Sequence, residues 1–341
     1  MAATMKDIAR TTGLGLATIS KYLNGGKVRP RNKTLIDAAV KELDFTVNSI
    51  ARSLKTNHSH TIGVIIPELS QAFSTSIITH VTDALRKKGY AVLVCDCRSD
   101  GKLEREMVSF LLNKRVDGIL NMPTSTNGEH LQPALNRKVP VVLIDRMIQR
   151  LVGQVSAVLL DNVDAARKAT AFLLDAGHQN TGIVLGAKGV YTSEHRCSGF
   201  RKAFAQCGLT AREENIVFSD YSIKGGYEST KKLLSVPQPP TALFVTNFEM
   251  TLGAIIALNE MQIRVPEDLS FVGFDKLDLF DAIFPSLALM KQPQNAIGEC
   301  AAQLLLNMLS ADNGPVSHQV VSLSAEFQAG TSVKAIPRAK R

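Results

Sequence analysis

From residue 61 onward the chain alternates short, near-continuous apolar runs with amphipathic stretches, and this alternation constrains its fold most. The runs at 62–66 (IGVII), 91–95 (AVLVC), 117–121 (DGILN), 140–144 (PVVLI) and 155–160 (VSAVLL) are separated by helical-period stretches near 71–88, 102–114 and 129–137. Strands apolar on both faces need cover on both faces, which means a parallel sheet between helices. The pattern then starts again: helix 163–176, strand 182–186, helix 194–207, strand 215–218, helix 224–235, strand 241–246, helix 248–261 and strand 269–273. A helix near 293–310 and a last strand near 319–323 are expected to close this second unit. Two successive α/β units predict two lobes. A ligand would lie in the cleft between them, at the carboxyl ends of the strands.

The first 45 residues follow another pattern, short helices only. Thr4 and Asp7 have capping-box spacing, and an apolar face starts at Ile8 and Ala9. Gly13-Leu14-Gly15 breaks that helix. A second runs from Leu16 to Leu23, stopped by Asn24-Gly25-Gly26. Asn32 is placed to cap a third, whose apolar stripe is Leu35, Ile36, Ala39, Val40 and Leu43. Charge singles out the same region. Residues 1–60 carry +6 of the chain's net +8, residues 61–333 carry −2, and the tail 334–341 carries +4. Helix, glycine turn, short helix and third helix in a basic segment make a helix-turn-helix plan. The plain alternative is a three-helix cap with solvated charges.

Residues 46–60 read as a linker able to form one or two helical turns when something supports them. The five cysteines are odd in number and too sparse for a disulfide framework. Cys95-x-Cys97 lacks the usual metal or redox spacing, so buried thiols at a strand end are the better reading. There is no signal-peptide h-region and no run of about 18 apolar residues. The expectation is a reduced, cytoplasmic protein with no metal and no cofactor. G-x-G-x-x-G after the first strand, a P-loop and G-x-S-x-G are all missing, and the histidines are dispersed, so an enzyme is not expected.

The segments MKDIARTTGLGLATISKYLNG, ARSLKTNHSHTIGVIIP, DGIL at 117, DN at 161, LLDAGHQNTGIVLG at 173, RCSGFRKAF at 196 and VPEDLSFVGFD at 265 together resemble the lactose-repressor (LacI) family of bacterial transcription regulators. The resemblance covers essentially the whole chain. It implies an α/β architecture: a three-helix helix-turn-helix head (1–45), a hinge helix and linker (46–60), a two-lobed effector-binding and dimerisation domain like the periplasmic sugar-binding proteins (61–333), and a basic tail (334–341), read as disordered.

By resemblance the second helix reads bases, with Leu16, Ala17 and Lys21 at the reading positions and Thr18 and Ser20 close to phosphate. Leu16 and Ala17 can meet thymine methyls but cannot hydrogen-bond a base edge, whereas Lys21 can reach guanine or a phosphate. Leu16 could instead pack in the small core. Lys6, Asn24, Thr34 and Lys55 are candidate phosphate contacts. In the hinge, Asn48 and Ala51 match the family pattern, and Leu54 matches a leucine that wedges into the minor groove. Val47 stands where the family commonly has proline. Two heads on two half-sites imply a homodimer on a palindromic operator.

On the ligand side, Arg196, Asn247 and Asp275 match the family's effector-binding positions. These types suit a polyol, since arginine donates, aspartate accepts and asparagine does both. Phe73 and Tyr221 match places where rings stack on a ligand. Asp145 and Gln292 match positions at the lobe crossover. Any of these polar residues could instead close an ion pair or cap a helix. The family often has Asp after the asparagine, and here Phe248 stands there. The resemblance implies a repressor of a carbohydrate-uptake or catabolic operon, answering to a sugar or sugar derivative. The competing reading is a solute-binding protein on the same two lobes without DNA function.

Overall fold

The structure is a computed structural model, which describes residues 3–23, 25–45, 58–275, 285–310 and 317–337. The chain divides into two compact units, 1–59 and 60–341.

In the first unit, α1 (Met5–Thr12), α2 (Leu16–Leu23) and α3 (Pro30–Glu42) surround a core of Ile8, Ile19, Ile36 and Ala39. The capping box at the start of α1 forms, with the Asp7 carboxylate accepting the Thr4 N–H at 2.9 Å. Gly13 ends α1 in the left-handed conformation (φ 68°), where a side chain would be strained. The start of α3 differs from the sequence reading. The helix begins at Pro30, ahead of Asn32, with Arg29 at the N-cap. Proline at the first helical position has its φ preset and lacks an N–H that would be orphaned there anyway, so it outcompetes a side-chain cap two residues on. The Tyr22 hydroxyl donates to Asp37 at 2.6 Å and ties α2 to α3.

In the second unit the first lobe is a six-stranded, all-parallel sheet in the order β11-β5-β4-β3-β1-β2. Its strands are β1 (Thr61–Ile66), β2 (Ala91–Asp96), β3 (Gly118–Asn121), β4 (Val141–Ile144), β5 (Ser156–Leu160) and β11 (Val320–Leu323). The second lobe has the order β12-β10-β9-β8-β6-β7. Its strands are β6 (Thr181–Leu185), β7 (Ile216–Phe218), β8 (Ala242–Val245), β9 (Ser270–Phe274), β10 (Ala288–Lys291) and β12 (Glu326–Gln328), of which β12 alone runs antiparallel. Covering helices include α4 (Ala72–Arg86), α5 (Gly101–Asn113) and α6 (Gln132–Asn136) in the first lobe. The second lobe contains α7 (Asn162–Asp175), α8 (Tyr191–Gln206), α9 (Ile223–Leu234) and α10 (Phe248–Glu260).

The closing segment corrects the sequence reading. Helix α11 (Gln294–Ser310) and β11 belong to the first lobe, not the second: Ile297, Ala301 and Leu305 join its core, and β11 pairs with β5. Among the described residues the chain therefore crosses between the lobes three times: after β5, after β10 and after β11. The stretch read as a helix over 129–137 is a 3-10 turn at Glu129–Leu131 followed by the five-residue α6. Cys95 and Cys97 are buried at the end of β2, and burial pushes the Cys97 thiol up to about 11. All five cysteines are free.

Candidate functional site

On the head, α2 turns Ile19 into the core and leaves its other face outward. Leu16 is 46% exposed, which sets aside a core role for it. Ala17 and Lys21 are exposed beside it, and Thr18 and Ser20 are half-buried. Lys6 on α1 and Thr34 on α3 are exposed, the Thr34 hydroxyl donating to the Pro30 carbonyl at 3.3 Å. Asn24 and the hinge residues Asn48, Ala51, Leu54 and Lys55 lie outside the described residues, as does the suggested helical turn over 46–57.

In the second unit, the loops after β1 and β4 meet the loops after β7 and β8, so carboxyl ends of both sheets face one seam. The Arg146 guanidinium, just past β4, lies 5.5 Å from the centre of the Tyr221 ring, just past β7. The Tyr221 hydroxyl lies 2.8 Å from Thr192 and 2.6 Å from Ser193, at the start of α8. Gly186 makes room for that ring, since a Cβ there would fall 1.9 Å from it.

Arg196 is only 3% exposed, and its charge is held by neighbours on several elements. Its Nε donates to Asn162 Oδ1 at 2.7 Å, its Nη1 donates to the Thr246 carbonyl, and its Cζ lies 3.9 Å from the Phe274 ring centre. Asp275 follows β9 with a left-handed backbone (φ 67°) and takes a 2.7 Å hydrogen bond from Gln292 Nε2. Burial pushes its carboxyl up to about 7. Arg196 and the Gln292 bond oppose the rise, while Glu249 and Asp145 add to it. Gln292 sits on the crossover after β10, and its own Oε1 is buried with no hydrogen-bond partner. Asp145 Oδ2 lies 3.3 Å from Arg146 Nε.

Asn247 caps α10. Its Oδ1 accepts the Met250 N–H at 2.9 Å, and its Nδ2 donates to Glu249 at 2.6 Å. Phe248 is buried in the second lobe's core. Phe73 is half-buried on the first turn of α4, packed against the first lobe's core. The fold thus brings Asp145, Arg196, Tyr221, Asn247, Asp275 and Gln292 to one seam, with Phe73 beside it on α4. It adds residues the sequence reading missed: Asn162, Thr192, Ser193, Thr246 and, most of all, Arg146 and Glu249. Arg146 adjoins Asp145, and Glu249 adjoins the unexpected Phe248. Those adjacencies were the available signals.

A basic helix-turn-helix unit joined to a two-lobed α/β unit with a polar seam defines a sensor-regulator. Residues 4–48 match "Bacterial regulatory proteins, lacI family", and residues 170–333 match "Periplasmic binding protein-like domain". The HTH-type transcriptional repressor PurR of Pectobacterium carotovorum is 31% identical over 312 residues, 91% of each chain. Catabolite control protein A of Priestia megaterium is 30% identical over 336 residues, 98% of this chain and all of that one. The crystal structure of the lac repressor dimer bound to operator and the anti-inducer ONPF superposes with a TM-score of 0.88, covering 98% of this chain and 100% of that chain at 23% identity, a likeness of fold. The chain belongs to the LacI family of bacterial regulatory proteins. It is a DNA-binding transcriptional regulator, which sets aside the reading as a solute-binding protein without DNA function. These relatives carry the names of repressors or control proteins, not of enzymes. No helix among the described residues is long and apolar enough to cross a membrane.

Proposed function

We propose that this regulator acts in the cytoplasm as a homodimeric repressor on a palindromic operator and is controlled by a small uncharged effector bound between its lobes. The observation that carries the DNA half is the outward face of α2. Ile19 alone is buried there, while Leu16, Ala17 and Lys21 are presented together. Leu16 and Ala17 would meet thymine methyls, Lys21 a guanine or a phosphate, and Lys6 and Thr34 the backbone. Asn24, Asn48, Ala51, Leu54 and Lys55 complete the proposed contacts. The lac repressor structure is of a dimer on operator, which supports the same stoichiometry here.

The effector class follows from charge and hydrogen-bonding capacity. Three carboxylates (Asp145, Glu249 and Asp275) share the seam with two guanidiniums (Arg146 and Arg196), and Arg196 already donates to Asn162 and Thr246. A phosphate would find both guanidiniums already engaged, Arg196 by Asn162 and the Thr246 carbonyl and Arg146 by Asp145 and the Pro123 carbonyl. A hydroxyl-rich neutral molecule would find acceptors in Asp275, Asp145 and Gln292 Oε1, and rings in Tyr221 and Phe73. A sugar or sugar derivative fits this set, and the regulated genes would be those of carbohydrate uptake or catabolism. Effector binding would alter the order of residues 46–57 and thereby operator affinity.

The test has two arms on the full-length chain. Selection from random duplex DNA should enrich a palindrome, and Leu54→Gly should weaken binding to it. A thermal-shift panel of neutral sugars, sugar phosphates and nucleobases should show stabilisation by a neutral sugar alone. Failure to enrich any sequence at low salt overturns the operator reading, and a shift only with sugar phosphates overturns the effector class.

A further inference from the structure

The turn after β8 reads Thr246-Asn247-Phe248-Glu249. The acid that the family pattern places at 248 is replaced by a buried ring, and a carboxylate follows one residue later. From the first turn of α10, Glu249 reaches out of its own lobe. Its Oε1 accepts the backbone N–H of Ala72 at 3.0 Å, and its Oε2 accepts Asn247 Nδ2 at 2.6 Å. Ala72 is the first residue of α4, in the other lobe. The first N–H groups of a helix have no partner within it. The residue at the N-cap, Gln71, makes no side-chain cap. One carboxylate of the second lobe therefore caps a helix of the first.

We propose that Glu249 is a closure latch, a positioning residue that holds the two lobes together at this seam. Separating the lobes breaks the bond and leaves the start of α4 uncapped. Other contacts cross the same seam. Arg146 lies against Tyr221, Ala72 packs on the second lobe's core, and Tyr191 packs on the first lobe's core. Glu249 differs from them in joining an ionisable group to a helix terminus. Such charge-assisted bonds are about twice as strong as neutral ones, and the helix dipole favours a negative charge there. Burial pushes the Glu249 carboxyl above its ordinary value and nearby Glu68 adds to the rise, as befits a carboxylate withdrawn from water.

The latch rests on the effector reading only for the use made of closure; closure itself can be measured without effector or DNA. Two variants attack the bond from opposite lobes. Glu249→Ala removes the acceptor. Ala72→Pro removes the donor at a position where proline is tolerated, after a residue already extended (Gln71 φ −79°, ψ 120°). Small-angle scattering of each full-length variant should give a larger radius of gyration than the wild type, with unchanged helix content by circular dichroism. Glu249→Gln, which keeps a carbonyl acceptor, should stay closer to wild type. A folded Glu249→Ala or Ala72→Pro chain with the wild-type radius overturns the latch while leaving the DNA and effector readings standing. A wrong effector class leaves the scattering result untouched.

Discussion

Asp275 shows how far a single side chain was legible. Its match to the family's aspartate in VGFD, with a residue type that accepts hydrogen bonds, pointed to a ligand acceptor. Its protonation did not, because that depends on burial, on the charges of Arg196, Glu249 and Asp145, and on the Gln292 hydrogen bond, all brought from other segments. With the carboxyl at about 7 in the fold and near 3.8 when exposed, the folded chain holds a proton that the unfolded chain has released between those values. Acid therefore favours the fold at this residue: the contribution is complete below the unfolded value and is lost as pH rises through about 7. Asp275→Asn removes this dependence while keeping an oxygen for Gln292. Denaturant titrations at pH 5, 6, 7 and 8 should show the variant gaining on the wild type as pH rises, by at most ~1.4 kcal/mol per pH unit and levelling off above about pH 7. Parallel pH profiles would show that the carboxyl does not titrate there. Arg146 and Glu249 carried no more than an adjacency signal, for the same physical reason. Each acts on a partner more than 70 residues away in sequence, and only the folded seam makes the pair.

At the scale of elements, periodicity gave the type and approximate span of nearly every strand from β1 to β9, because strands buried on both faces are plain apolar runs. It missed β10 and β12 and put α11 and β11 in the wrong lobe. The β11 segment has partly buried residues alternating with exposed ones, as an edge strand does, and nothing in such a run says which sheet it joins. Pairing β11 with β5 is a tertiary choice, made where α11 finds a core to cover. Helix α2 was more legible, since an eight-residue helix can turn few residues inward. Two of its apolar residues, Leu16 and Ile19, should now separate cleanly. Ile19→Ala creates a cavity in a four-residue core and should cost about 2–5 kcal/mol, seen as loss of the head's melting transition. Leu16→Ala should change stability by no more than about 0.5 kcal/mol. It should nevertheless weaken operator binding by about 1–3 kcal/mol, the value of the apolar surface it would bury against DNA. A destabilised head in the Leu16 variant would return that leucine to the core.

For the whole molecule, charge is divided between the parts as function would divide it. Residues 1–60 hold +6, whereas residues 61–333 hold −2 and carry the polar seam. A near-neutral sensor gives little electrostatic reason for DNA to lie along it, so counterion release should be confined to the basic head and any contribution from the +4 tail. Operator titrations across a salt series should then give a steep linear fall of log K against log salt, with a slope on the order of −5 to −9 for two heads. Replacing Lys6 by Gln should make the slope shallower by about 1 for each phosphate left without its lysine, and should weaken specific and random DNA alike. Lys21→Gln distinguishes the two roles left open for that residue. A uniform loss with a shallower slope makes it a phosphate contact, whereas a loss confined to the selected operator, with altered base preference, makes it a base reader. Effector-induced thermal shifts should be unchanged in both variants. If the lysine variants instead altered the effector response and left the salt slope intact, the assignment of DNA to the head and small molecule to the lobes would be wrong.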